Sequence, residues 1–118
     1  MKTYSFEKLQ VWQDTRHFTK HIYILTKKFP TEERFGLTSQ VRRAMISISC
    51  NIAEGSSRQS NKEKKRYIEM AFGSLMEVLN CLIISTDLEI ILEKELVFCP
   101  QDIDKIGNKL NALSRSYS

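Results

Sequence analysis

Two histidines, His17 and His21, stand four residues apart, the spacing at which a helix places both imidazoles on one face. Such a pair can supply two metal ligands. A di-iron bundle takes a Glu-x-x-His element from each of two helices. The nearest approach here is Asp14-x-x-His17, and it has no counterpart elsewhere in the chain. With no third and fourth ligand in view, no metal or other cofactor is expected, and the histidines are expected at solvent or at an interface. Cys50 is a nucleophile on paper, but it sits mid-helix in an apolar stripe without a neighbouring base. Ser47, Ser49, Ser56 and Ser57 lack a G-x-S-x-G setting, and no phosphate-cradling glycine loop is present. No enzymatic activity and no small-molecule substrate are expected.

The cations carry more. Arg58, Lys62, Lys64, Lys65 and Arg66 crowd one short stretch, five positive charges against Glu54 and Glu63. Arg42 and Arg43 add a doublet upstream. Lysine and arginine so placed can contact phosphates without reading sequence. The same residues also suit solubility or salt bridges between subunits, and both readings stand at this level. The net charge is +4, split as +6 over residues 1–86 and −2 over residues 87–118. A basic body favours an anionic partner such as RNA or DNA, without by itself selecting one.

These cations flank the segment Leu37–Arg58, LTSQVRRAMISISCNIAEGSSR. At 100° per residue, Leu37, Val41, Ala44, Met45, Ile48 and Ile52 share one helix face. Ile46, Cys50 and Ala53 fall on roughly the opposite face. A surface helix of a monomer needs one apolar stripe. The second predicts another burial partner, a second copy of the chain. Asn51 and Glu54 lie between the stripes, where hydrogen bonds to a neighbouring helix or to amides after Gly55 are expected. Trp12 and Tyr23 lie on one side of the first helix as core or interface aromatics.

Four helices position these residues. The first is predicted over about 7–28, with Val11, Thr15, Phe18, Ile22, Leu25 and Phe29 spaced 4-3-4-3-4 and Pro30 closing it. The second spans about 37–55. Ser60 and Glu63 form a capping-box pattern that opens the third, about 60–88. Its core side is read as Ile68, Ala71, Phe72, Leu75, Leu79, Leu82, Ile83 and Thr86. The fourth carries Ile103, Ile106, Leu110, Leu113 and Tyr117. It begins either at Glu93, with Pro100 as a kink, or near Pro100 as a first-turn proline. The 118 residues, 42% hydrophobic with four Gly and two Pro, suit one domain. The fold class is all-α, an antiparallel up-and-down four-helix bundle over residues 1–118. No apolar run of membrane length stands out, and no signal peptide. No membrane association and a cytoplasmic location are expected. Cys50, Cys81 and Cys99 are expected as buried, unpaired thiols.

Several pieces are similar to a known family: LQVWQDT (Leu9–Thr15), IYILTKKFPTEERFGL (Ile22–Leu37), QVRRAMISISCNIAEGSSR (Gln40–Arg58) and YIEMAFGSLMEVL (Tyr67–Leu79). In order and spacing the chain resembles the small bacterial four-helix-bundle proteins called 23S rRNA-intervening sequence proteins, which often carry a ribosomal-protein-like label. The match weakens after about Asp87. The resemblance implies an up-and-down bundle that assembles into a ring, typically a homopentamer, with no known enzymatic activity. It makes Trp12, Asn51, Glu54 and Gly55 motif residues of structural role. It also admits nucleic-acid binding, since a related basic bundle protein accompanies diversity-generating retroelements.

Overall fold

The computed structural model describes residues 2–96 and 99–118, with the Cys99 side chain left aside. Among these residues there are four α-helices and no strand: α1 (Gln10–Thr26), α2 (Leu37–Ser56), α3 (Asn61–Asp87) and α4 (Cys99–Ser116). Neighbours in the chain are neighbours in space, with α2 on α3, α3 on α4, α1 on α2, and α1 closing on α4. This is the antiparallel bundle that the apolar spacing implies.

The heptad-like stripe of α1 is buried as expected: Val11, Thr15, Phe18, Ile22, Leu25 and, just past the helix, Phe29. Thr15 is tolerated there because its hydroxyl donates to the Val11 carbonyl at 2.8 Å. The inner stripe of α2 (Val41, Ala44, Met45, Ile48, Ile52) meets it, with Ile68, Leu75 and Val78 from α3 and Ile103, Ile106 and Leu110 from α4. Each large apolar side chain so buried contributes about 1.5–3 kcal/mol, against the chain entropy that folding removes.

Several boundaries depart from the sequence reading. The first helix does not start at Glu7. Ser5–Lys8 is a separate 3₁₀ turn and Leu9 is extended, so α1 begins at Gln10. The Glu7 carboxylate closes that turn by accepting from the Tyr4 amide at 2.7 Å, and the Glu7 carbonyl accepts from Gln13 at 2.9 Å. α1 ends at Thr26, two residues early, as Lys28 and Phe29 form a final turn onto Leu25 and Thr26. Pro100 lies in the first turn of α4, where its missing N–H costs nothing. Glu93–Leu96 forms a separate 3₁₀ turn, so the longer fourth helix is not formed over those residues; Phe98 lies outside the described residues. On α3, Ile83 is 50% exposed rather than in the core, and Val78, Cys81 and Ser85 are buried in its stead. α3 packs on α2 and α4 together, which rotates its buried arc toward Cys81 and Ser85. Cys81 is buried as expected, whereas Cys50 is exposed, because its stripe faces away from the core.

α3 is apolar on more than one side. By length and composition alone it is long and apolar enough to cross a membrane, with a mean hydropathy of 1.5 over its best window. That corrects the expectation that no run has membrane character. Its position between α2 and α4 is that of a core helix, which shows the same composition.

One charged cluster locks α1 to α4. Asp14 accepts from Lys109 and pairs with Lys105 at 3.4 Å. Burial alone would raise the Asp14 carboxyl. Hydrogen bonds from Lys109 and Gln10 and the charges of both lysines outweigh it and hold the carboxyl below its ordinary value. The molecule extends 44 Å along its long axis. The α2–α3 connection and both chain termini meet at one end, and the α1–α2 and α3–α4 connections lie at the other.

Candidate nucleic-acid interface

The α2–α3 connection is short because each side is capped locally. At the start of α3, Ser60 accepts from the Glu63 amide at 3.1 Å, the expected helix start. At the end of α2, Ser57 donates to the Glu54 carbonyl at 2.7 Å. In the last turn of α2, Gly55 is buried, and a Cβ there would stand 2.8 Å from the Tyr67 Cβ. The absent side chain lets Tyr67 of α3 lie directly over the end of α2.

Tyr67 in turn organises cations. The Arg58 guanidinium lies 4.7 Å from its ring centroid and donates to its hydroxyl at 3.0 Å. The Arg66 guanidinium lies 5.5 Å from the same ring. Glu54 approaches Arg58 at 3.7 Å and Glu63 approaches Arg66 at 3.4 Å, so both guanidiniums are steered without being buried. Lys62 is exposed beside them. Lys65 donates to Ser118 at 3.2 Å and the Lys64 ammonium stands 5.7 Å from the Tyr117 ring, which brings the C-terminus to this end. Burial raises the Tyr117 hydroxyl above its ordinary value. The N-terminal segment arrives as well: Ser5 and Ser56 share a hydrogen bond at 3.1 Å, and Lys2 lies 5.6 Å from the ring of Tyr4. Cation–aromatic pairs of this kind contribute about 0.5–1 kcal/mol each at exposed sites.

A family model described as 23S rRNA-intervening sequence protein matches residues 7–112. The chain belongs to the 23S rRNA-intervening sequence protein family. The matched region covers all of α1, α2 and α3 and most of α4. No curated protein matches this chain.

In this member, the motif residues Glu54 and Gly55 build the base of the basic end, one holding Arg58 and the other seating Tyr67. Asn51 works within α2: its amide donates to the Ser47 carbonyl at 2.9 Å and to the Ser47 hydroxyl at 3.1 Å. Ser47 shares a 2.9 Å hydrogen bond with Ser74, so Asn51 reaches α3 through Ser47 rather than directly. Trp12 packs edge-on to Phe6 with ring centroids 5.1 Å apart, and Arg16 lies over it at 5.3 Å.

The arginine doublet is not part of the basic end. Arg42 donates from Nε to the Thr26 hydroxyl at 2.8 Å and from Nη2 to the Tyr23 carbonyl at 3.2 Å, and it lies 4.4 Å from the Tyr23 ring. It ties α2 to the last turn of α1, where carbonyls need donors. Arg43 is exposed beside Gln40, Ser47 and Glu77. At 1.5 Å rise per residue the doublet stands roughly 24 Å along α2 from Arg58.

The second stripe of α2 faces outward, with Ile46 43% exposed, Cys50 exposed and Ala53 half-buried. On the adjoining α3, Met70, Met76, Ile83 and Ile84 are exposed as well, each 37–50%. Sequence reasoning gave Met70, Met76 and Ile84 no role and set Ile83 on the core side, since it read α3 for a single stripe.

The histidines are exposed, stacked on each other with ring centroids 6.2 Å apart. Asp14 is held by its lysines, and His21 stands 3.7 Å from Asp102. Among the described residues no group of three or more His, Cys, Asp or Glu side chains is arranged to hold a metal. A groove of about 540 Å³ runs past His21, Leu25, Lys28 and Asp102 toward the opposite end. There Lys28 pairs with Glu95 at 3.3 Å. The Leu92 amide and Lys28 hold the Glu95 carboxyl below its ordinary value.

Sequence reading gave Tyr4 and Tyr67 no role and set Tyr117 on the apolar stripe of the fourth helix. In the structure Tyr67 and Tyr117 stand at the basic end beside its cations, and Tyr4 comes to the same end through its neighbour Ser5. For Tyr67 the signal was present as R-Y nine residues after Arg58; for the two terminal tyrosines only the bundle topology brings them there.

Proposed function

We propose that this protein is a non-enzymatic bundle that self-assembles in the cytoplasm and binds RNA or DNA phosphates through its basic end. The observation that carries this reading is the gathering of Arg58, Lys62, Lys64, Lys65 and Arg66 at one end, with Glu54 and Glu63 the nearest opposing charges. Exposed cations contact phosphates and release counterions, so binding is of low sequence specificity and falls steeply with salt. Self-assembly multiplies this field. It is supported by the outward stripe Ile46, Cys50 and Ala53, which a lone bundle leaves in water. Five copies in a closed ring is the number the family resemblance implies.

A second reading has its own support. The outer face of α3 presents Met76, Ile83 and Ile84 over a span with few charges, which suits a protein partner and a scaffold role without nucleic acid. Filter binding of labelled structured RNA, single-stranded RNA and DNA at low salt separates the two. Retention that falls with added salt supports the first reading; no retention of any of the three leaves the scaffold. Light scattering on the same sample tests assembly, and a particle of 13.8 kDa at micromolar concentration contradicts it.

A further inference from the structure

The basic end differs from an ordinary solvated cluster in one respect: its cations are interleaved with aromatic rings. Tyr67 carries two guanidiniums, Tyr117 carries the Lys64 ammonium, and Tyr4 stands 57% exposed at the same end. The remaining tyrosine, Tyr23, is at the far end under Arg42.

A charge cluster built for solubility has no need of this arrangement. Arg58 has side-chain exposure of 43% and Arg66 of 59%, yet both guanidiniums centre within 5.5 Å of one ring. A guanidinium laid on an aromatic face offers its outer plane as a stacking surface while its N–H groups reach sideways to phosphate. Duplex nucleic acid hides its base faces within the stack. A protein binds it through a groove-filling element or a long basic track. Among the described residues a single copy has neither at this end: the loop is short, and the arginine doublet lies far along α2 with Arg42 turned inward. Single strands expose base faces, and aromatic platforms among cations take them regardless of sequence.

We propose that the basic end is a site for single-stranded nucleic acid, with bases stacking on Tyr4 and on the guanidinium planes that Tyr67 holds. This rests on the nucleic-acid reading above and specifies its ligand. Tyr67 is a positioning residue in this site; Gly55 beneath it and Glu54 beside Arg58 set where the ring and the guanidinium stand. Lys62, Lys64 and Lys65 supply charge around them.

The test is fluorescence anisotropy of the intact protein with three labelled probes: a twelve-nucleotide oligouridine, the matching oligothymidine and a blunt RNA duplex of the same length. Both single strands are expected to bind at least tenfold more tightly than the duplex at equal salt. Tyr4→Ala, on an exposed side chain, is expected to weaken single-strand binding about tenfold and leave the salt dependence unchanged, because stacking rather than charge is removed. Lys62→Gln is expected to lower the salt slope by about one instead. Tyr67→Phe keeps the ring and is expected to bind within a few-fold of wild type, whereas Tyr67→Leu loses the preference for single strands. Equal affinity for duplex and single strand, or a Tyr4→Ala protein that binds like wild type, overturns this inference and leaves the phosphate reading standing. Absence of binding to all three probes overturns both.

Discussion

The two ends of this bundle are made by the same four helices and could hardly differ more. At the end where α2 turns into α3, cations sit on tyrosines over a buried glycine. At the other, the two connections bring Glu32, Glu33 and Glu89 around a shallow depression with Leu88, while Phe35 stands 90% exposed. Glu89 there adopts a φ of 60°, closing α3 in the left-handed conformation usually left to glycine or asparagine. The helices set how long the rod is, and the connections set what each end can meet. If the basic end is the anion site proposed above, the carboxylate-bearing end, where Lys28 also lines the depression, is the less favourable place for an anion.

The largest effect expected from this contrast is on binding. Reversing Lys62, Lys65 and Arg66 to Glu is expected to lower nucleic-acid affinity by about a hundredfold or more while the thermal midpoint stays within a few degrees, because all three side chains lie outside the core. Reversing Glu32, Glu33 and Glu89 to Lys at the other end is expected to leave it unreduced. Equal losses from both triples, read by anisotropy, erase the distinction between the ends.

The next effect is on stability. Gly55→Val places atoms where Tyr67 already lies and is expected to cost about 2 kcal/mol by denaturant titration. Gly73→Ala, mid-helix with nothing within 4 Å of the added carbon, is expected to stabilise the bundle by about 0.5–1 kcal/mol. If the two substitutions cost the same, Gly55 is not a seat for Tyr67.

Between the ends, Ile46→Glu tests the outward stripe of α2. It is expected to weaken assembly by about 2 kcal/mol in sedimentation while the helical content is unchanged, since Ile46 is partly exposed in the single chain. Unaltered sedimentation moves the interface elsewhere, with the outer face of α3 the next place to substitute.

The smallest effect is a pH dependence. Asp14 titrates below its ordinary value in the folded protein, so its contribution is complete above about pH 4 and is lost as the pH falls through the lowered folded value. Asp14→Asn is expected to cost about 1.5 kcal/mol at neutral pH and to flatten the acid limb of the stability curve. A mutant whose acid limb matches that of wild type contradicts the role given to the α1–α4 lysine cluster.

Helix identity was legible in the sequence because period 3.6 survives in each core stripe; Val11 to Phe29 and Ile103 to Leu110 are buried as their spacing implies. Pro100 left two starts for α4 because proline fits both a first turn and a kink; the structure has the first, with Glu93–Leu96 a separate 3₁₀ turn and α4 beginning at Cys99. Ile83 was misjudged because α3 is apolar around most of its circumference, so periodicity there does not say which arc is inside. The basic end was half visible. Local spacing showed the cations of residues 58–66, while the glycine seat depends on how α3 packs back over the end of α2, and the terminal tyrosines on contacts between segments about fifty residues apart. Arg42 shows the converse. As a doublet with Arg43 it read as a phosphate contact, and the fold spends it on the carbonyl end of α1.

The proposed nucleic-acid contact can be tested directly by photo-crosslinking the intact protein to a 4-thiouridine-substituted single-stranded RNA and mapping the adducts by mass spectrometry. The expected adducts lie in peptides containing residues 2–8, 58–67 and 112–118, with Tyr4 and Tyr67 foremost. Adducts concentrated around Arg42 and Arg43 or at residues 30–36 and 87–96, or no adducts at low salt, contradict the assignment of the basic end.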